Sequence, residues 1–212
     1  MRCSMRRKRH VCRRLKNQQL PNHQSLPNQM PDFELESRLE GRIAGIDEAG
    51  RGPWAGPVAA AAVVLEQAAL PDALRDGLDD SKKLTARNRE ALFDALREQA
   101  RLGTVDIGVG LSSVAEIERD NILAATMTAM ARAVQNLVHP VDIALVDGNR
   151  APTLTCAAQT VVKGDQRSLS IAAASIVAKV TRDRIMSELD ADHPGYGWSH
   201  NAGYGTAEHR AA

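Results

Sequence analysis

Aromatic side chains are scarce in this chain of 212 residues, with two Trp, two Tyr and two Phe making up 3% of the total. A core of packed rings is excluded, and the 43% hydrophobic content has to do its work through aliphatic residues. Cysteine is sparse too. Cys3, Cys12 and Cys156 cannot make a disulfide framework in a chain this long, and no spacing among them resembles a zinc site, so a reducing cytoplasm is the expected compartment. Long apolar runs are missing, the longest being Val58–Leu65, far short of the roughly 20 residues that cross a bilayer. No apolar segment follows the basic start as a secretory signal requires, and no membrane partner is expected.

Charge of one sign is lacking only on average. Residues 1–20 hold eight of the 27 Lys and Arg and no acid, so the net charge of +1 hides a body with 19 basic against 26 acidic side chains, a formal −7. That body does not advertise nucleic-acid binding by bulk electrostatics; any such binding has to be local. Residues 1–40 read as a tail, basic at first and then Asn/Gln/Pro/Ser-rich through 17–31, with no apolar periodicity that buries a face, and disorder is expected there. A solvated arm, a spurious upstream start and a nucleic-acid arm are its three readings. The folded domain is expected over 41–189, followed by a polar, turn-rich segment over 190–212.

From Arg42 short apolar runs alternate with helical stretches. Segments 43–47, 56–65, 104–110, 142–147 and a run centred on 159–162 read as strands, the second suited to burial on both faces. The spacing of Leu84, Leu92, Phe93 and Leu96 predicts a helix over 81–100 capped by Ser81 or Thr85, and further helices are predicted over 113–138 and 168–189. The order predicts a mixed α/β sheet with helices packed on it. Trp54, Tyr196, Trp198 and Tyr204 fall in Gly/Pro-rich loop sequence, where a ring either covers a core edge or offers a surface on which sugars or bases stack.

Chemistry concentrates at strand ends. The first strand runs into Asp47 and Glu48 and then a loop with glycines at 50, 52 and 56; IALV delivers Asp147 before Gly148; the run ending at Val162 delivers Lys163, Gly164 and Asp165. Each Asp taken singly is an ordinary turn former. Together they place four carboxylates on one rim of a sheet, a cluster stable only around cations. Oxygen donors without His or Cys favour Mg²⁺ or Mn²⁺, and several carboxylates suit two ions roughly 4 Å apart. Ser175, Lys179 and Arg182 lie at i, i+4 and i+7 on the last long helix, and Lys82 and Lys83 open another; both sets read as phosphate tracks or as solvated helix ends. His193, His200 and His209 read as exposed polar residues.

The segments DEAGRGPWAGPV (47–58), DDSKKL (79–84), VDGNR (146–150), KGD (163–165), SIAAASIVAKVTRDR (170–184) and GYGTAEH (203–209), in that order, resemble bacterial ribonuclease HII, the type 2 ribonuclease H family, from about Arg42 onward. The resemblance implies a ribonuclease H-like fold, a mixed five-stranded sheet flanked by helices with a small helical and loop C-terminal segment. It implies a metal-dependent endoribonuclease that cuts 5′ of ribonucleotides, in RNA–DNA hybrids or singly embedded in duplex DNA, leaving 3′-hydroxyl and 5′-phosphate ends, in the context of replication and ribonucleotide excision repair. Its metal-binding carboxylates fall on Asp47, Glu48, Asp147 and Asp165, with Asp47 bridging two Mg²⁺ or Mn²⁺ ions. Its ribose-reading element falls on Gly50, Arg51 and Gly52, and its substrate-sensing tyrosine on Tyr204. Lys82, Lys83, Lys163, Lys179 and Arg182 complete the expected substrate contacts, and a monomer is expected. The chain ends at Ala212, where members of that family usually continue further, so the recognition segment reads as shortened. A DNA resolvase or exonuclease with the same metals leaves the Gly-Arg-Gly and tyrosine pair unexplained; a non-catalytic nucleic-acid-binding protein working through its basic tail is the rival of another class.

Overall fold

The apolar runs pair into one sheet. In the computed structural model, which describes residues 30–212, β1 (Ile43–Ala49), β2 (Val58–Leu65), β3 (Val105–Ser112), β4 (Ile143–Asp147) and β5 (Ala157–Val161) line up in the order β3-β2-β1-β4-β5. β1 pairs antiparallel with β2, and β2 with β3; β4 runs parallel to β1, and β5 parallel to β4. The expected mixed five-stranded sheet is what the chain forms.

β2 is buried on both faces, as its unbroken apolar run predicts. Ala61 and Val63 meet the core that lies under α2 (Asp72–Gly77), α3 (Ala86–Arg101) and α5 (Leu169–Asp192), while Ala60, Ala62 and Val64 meet the core under α4 (Val114–Gln135). The Ala-rich middle of α5 lets its backbone come close to the sheet. Opposite its first turn, a Cβ on Gly45 would stand 2.1 Å from the backbone of Ser170, so only glycine fits there.

The helix predicted over 81–100 starts later, at Ala86. Thr85 caps it by accepting the Asn88 N–H, and residues 81–84 form a turn closed by the Lys83 N–H on the Asp80 carbonyl. Ser113 and Glu116 make a capping box on α4, which is kinked at Asn121 (φ 70), whose side chain accepts the amides of Leu123 and Ala124 and restarts the helix.

The N-terminal boundary expected at residue 41 moves. Residues 1–29 lie outside the described residues, but Phe33 and Leu35 are buried against the core, with α1 (Glu34–Ser37) between residue 32 and the sheet. Glu36 Oε1 accepts the Ser168 and Ser170 hydroxyls at 2.6 and 2.7 Å and the Ser170 amide at 3.1 Å, placing a carboxylate on the first turn of α5. Too few apolar residues surround Phe33 and Leu35 in sequence to show a period, which is why this segment reads as tail.

Beyond the last long helix the chain forms α6 (Trp198–Asn201) and α7 (Ala207–Ala211). Trp198 stacks on Tyr196 with ring centroids 4.9 Å apart and meets His193 and His209 edge-on, so this ring covers a core edge. Among the described residues no helix is long and apolar enough to cross a membrane.

Candidate active site

β1, β4 and β5 are mutually parallel neighbours, so their C-terminal ends reach one rim. The register pairs Ile46 with Val146, which sets Asp47 and Asp147 side by side one residue later. β5 ends opposite Asp147, and the chain then turns through Lys163 in the left-handed region (φ 54) into a short 3₁₀ turn, Gly164–Gln166. That turn aims the Gly164 amide at Asp147 Oδ1, 2.7 Å away, and buries Asp165.

The carboxylates feel one another. Burial first, and then the charges of Glu48 and Asp147, with Asp165 adding less, push the Asp47 carboxyl well above its ordinary range, although the Glu48 amide donates to its Oδ1 at 2.7 Å and works the other way. Asp47 is only 6% exposed. Asp165 is pushed up to about 6, by burial and then by Asp80 and Asp147, with Lys82 opposing. Lys82 answers in the other sense: burial pulls its ammonium down, but Asp47, Asp80, Asp165 and Asp147 together raise it. Glu48 sits beside the cluster and pairs with Arg51 at 3.0 Å.

Among the described residues no three His, Cys, Asp or Glu side chains already stand gathered in metal-ligating geometry. Three of the four carboxylates have an oxygen turned to a protein donor, Asp47 and Asp147 to amides and Glu48 to Arg51. The fit to divalent cations is therefore one of position and chemistry. Hard oxygen donors converge on one rim and repel one another, and Lys82 offsets that repulsion only in part, which is the condition a hard cation relieves.

Asp80 belongs to this site and was not singled out from sequence. It is buried, its Oδ1 accepts the Lys82 amide at 2.9 Å and its Oδ2 accepts Gln166 Nε2 at 3.3 Å, so it joins the lysine turn to the turn that carries Asp165. Its signal was an Asp two residues ahead of the amide it caps, in DDSKK. Ser175, expected on a basic stripe, is buried and bonds Ser81 Oγ at 2.7 Å, pinning the same turn to α5.

Arg182 corrects the phosphate-track expectation. It is 1% exposed, and its guanidinium donates through Nε to the Pro57 carbonyl at 2.9 Å and through its two terminal nitrogens to those of Ala202 and Ala55 at 2.8 Å each. Helical spacing put it in line with Lys179, but a loop covers that end of the stripe. Lys179 is half-buried and held by Asp183 at 2.6 Å, and Lys83 is paired with Asp79 at 3.0 Å; Lys163 is exposed beside Asp165.

The Gly-Arg-Gly loop and the tyrosine loop touch. A Cβ on Gly52 would lie 3.5 Å from the Tyr204 ring, and the Trp54 amide donates to the Gly203 carbonyl at 2.9 Å. Gly50 has φ +109, and a Cβ there would collide with Arg182 and the Pro57 carbonyl. His209, expected to be a free polar residue, is half-buried; its Nδ1 lies 2.9 Å from the Tyr204 carbonyl, and its Nε2 accepts the Trp198 indole N–H at 3.3 Å. With that acceptor role, the proton sits on Nδ1 and donates to Tyr204.

Residues 44–212 match the ribonuclease HII family. The chain belongs to the ribonuclease HII family. It is 59% identical over 183 residues to the ribonuclease HII of Rhodospirillum rubrum, covering 86% of this chain and 83% of that one, and 56% identical to that of Granulibacter bethesdensis, covering 86% and 82%. Its fold is similar to that of the ribonuclease H2 of Pyrococcus horikoshii, at TM-score 0.64 and 28% identity over 80% of this chain and 83% of that one. It is likewise similar to the ribonuclease HII of Archaeoglobus fulgidus, solved in complex with PCNA, at TM-score 0.63 and 28% identity over 80% and 85%. As a ribonuclease HII family member the chain is a type 2 ribonuclease H, a hydrolase of phosphodiester bonds, and the ribonuclease H-like fold expected from its motifs stands.

Proposed function

We propose that this ribonuclease H cuts the phosphodiester 5′ of ribonucleotides, both in RNA–DNA hybrids and at single ribonucleotides in duplex DNA, leaving 3′-hydroxyl and 5′-phosphate ends. The observation that carries the reading is the juxtaposition of a mutually repelling carboxylate rim with the Gly52–Tyr204 contact, one suited to cations and the other to a sugar. Asp47, Glu48, Asp147 and Asp165 hold Mg²⁺ or Mn²⁺. When bound, the cations supply Lewis acidity to the attacking water and to the departing 3′-oxygen.

The chain's own residues do the rest. Lys82, held over the rim by the Asp80 turn, places a positive charge where a phosphate must sit. Arg51 is half-exposed and tied to Glu48, so a phosphate that attracts it also frees Glu48. The stripped backbone at Gly52 admits a ribose edge-on, Gly50 lets the loop close onto Arg182 behind it, and Tyr204, 52% exposed, stands next to Gly52. A pocket that bonds a hydroxyl rejects the analogue lacking it by about 10⁴–10⁵. The enzyme works as a monomer in a reducing cytoplasm, a compartment in keeping with three cysteines in a chain of 212 residues.

The test uses three duplexes of one sequence: all DNA, DNA with one ribonucleotide, and an RNA–DNA hybrid, each with Mg²⁺, with Mn²⁺ and with metal removed. Cleavage of the second and third only, and only with metal, is the expected result. Comparable cleavage of the all-DNA duplex would make the chain a nuclease that does not read the 2′-hydroxyl.

A further inference from the structure

Trp54 is 66% exposed, a large apolar surface for a chain with only two tryptophans. It is not loose. Its amide is bonded to the Gly203 carbonyl, and its ring lies against Gly205, where a Cβ would come within 2.6 Å of three indole atoms. The backbone of Gly205 has no left-handed strain of its own, so what glycine supplies at that position is room for the indole. The Arg210 guanidinium stands 5.4 Å from the ring centroid and His209 5.9 Å from it. An exposed ring seated this way, against the glycine that follows Tyr204 and two residues after Gly52, is continuous with the proposed sugar-reading surface; Arg210 stands over it, and exposed Arg51 lies three residues earlier on the same loop.

We propose that Trp54 is a second sugar platform of this enzyme: its indole takes the C–H face of a deoxyribose next to the ribonucleotide that Tyr204 reads. The inference rests on the ribonucleotide-reading function proposed above. A 2′-hydroxyl in a duplex is reached from the shallow minor groove. There the faces of the bases are covered by their neighbours in the stack, and what the groove offers to a ring is the face of a sugar. Arg210 over the indole and exposed Arg51 on the same loop supply charge that suits the phosphates next to that sugar.

The experiment follows Trp54 itself. Trp198→Phe leaves one indole; a fluorescein-labelled duplex carrying one ribonucleotide is titrated in metal-free buffer, reading anisotropy for binding and indole emission for contact at Trp54. Binding accompanied by a change in indole emission is expected. In the otherwise unaltered chain, Trp54→Ala is expected to weaken binding about 5- to 20-fold with thermal unfolding and kcat at saturating duplex unchanged, and Trp54→Phe to recover most of the affinity. Those two variants keep the test valid where Trp198→Phe disturbs the Tyr196 stack. Binding by anisotropy with silent indole emission, or full affinity in Trp54→Ala, overturns the platform and leaves the ribonucleotide-reading function standing. Rising fluorescence of 2-aminopurine placed beside the ribonucleotide overturns the sugar assignment, since the ring would then be displacing a base. Failure to cleave the ribonucleotide duplex with metal defeats the parent reading, and the platform with it.

Discussion

Arg182, on the last long helix, donates to the carbonyl of Ala202 at 2.8 Å from an almost fully buried position. The same guanidinium holds Ala55 and Pro57, so one side chain fastens the loop after Gly-Arg-Gly to the loop before Tyr204. Burial holds its pKa below the ordinary arginine value, and three carbonyl dipoles carry the charge. The two halves of the proposed sugar-reading surface are therefore spaced by an interior cation, away from solvent.

Replacing it tests that spacing. Arg182→Met leaves three carbonyls without their donor and is expected to cost about 2–4 kcal/mol of stability, measured by urea unfolding. Arg182→Lys reaches at most part of the set and falls between. A Met variant as stable as the original would show that water satisfies those carbonyls.

The carboxylate rim makes a prediction about metal and pH. Asp47→Asn and Asp165→Asn are expected to abolish cleavage while metal-free thermal unfolding stays level or improves, because a repelling charge has gone. Asp165 titrates near 6 in the fold and near 4 in the unfolded chain, so between those values the folded state binds more protons and its stability falls as pH rises. The metal-free protein should therefore gain Tm, relative to Asp165→Asn, when pH is lowered from 7 to 5, and metal binding should strengthen as pH rises through 6. The same pH response in wild type and Asp165→Asn would place that titration elsewhere.

The revised N-terminal boundary is tested by two truncations. A chain starting at Met30 keeps Phe33, Leu35 and the Glu36 cap on the last long helix and should match the full chain in Tm, losing only salt-sensitive affinity carried by the basic residues. A chain starting at Gly41 loses all three and should be about 3–5 kcal/mol less stable. Equal stability of the two would return the boundary to residue 41.

Much of the site was legible because parallel strands put their C-termini on one side, so an Asp after each apolar run marks a common rim. Asp47, Asp147 and Asp165 were readable for that reason, and the resemblance to a known family agreed. Helical spacing shows which residues of α5 share a stripe but not what covers each part of it, and so Arg182 reads as a phosphate ligand when a loop buries it. Glu36 was illegible because its partners, Ser168 and Ser170, lie more than a hundred residues away at the start of α5, and Phe33 and Leu35 because they join clusters built from the sheet and from other helices, of which a local window holds no trace. Asp80 was hidden behind its two lysines.

The proposed function separates recognition from chemistry at Tyr204. It is half-exposed and its ring meets Gly52, while the metal rim is built from other loops. Tyr204→Ala should leave metal affinity unchanged and remove a stacking surface worth about 1–3 kcal/mol, with a larger loss at a lone ribonucleotide than along a hybrid, where many registers remain. Equal losses on both substrates, or rescue by excess metal, would assign Tyr204 to the fold or the metal site.

The most direct test maps one cut. A duplex with a single ribonucleotide, labelled at either end of that strand, is incubated with the enzyme and Mg²⁺ and the products are sized against markers of known terminal chemistry. The account predicts one break, on the 5′ side of the ribonucleotide, with a 3′-hydroxyl on the upstream fragment and a 5′-phosphate on the downstream one. A break on the 3′ side, or a 2′,3′-cyclic end, which arises when the ribose hydroxyl is itself the nucleophile, would contradict it.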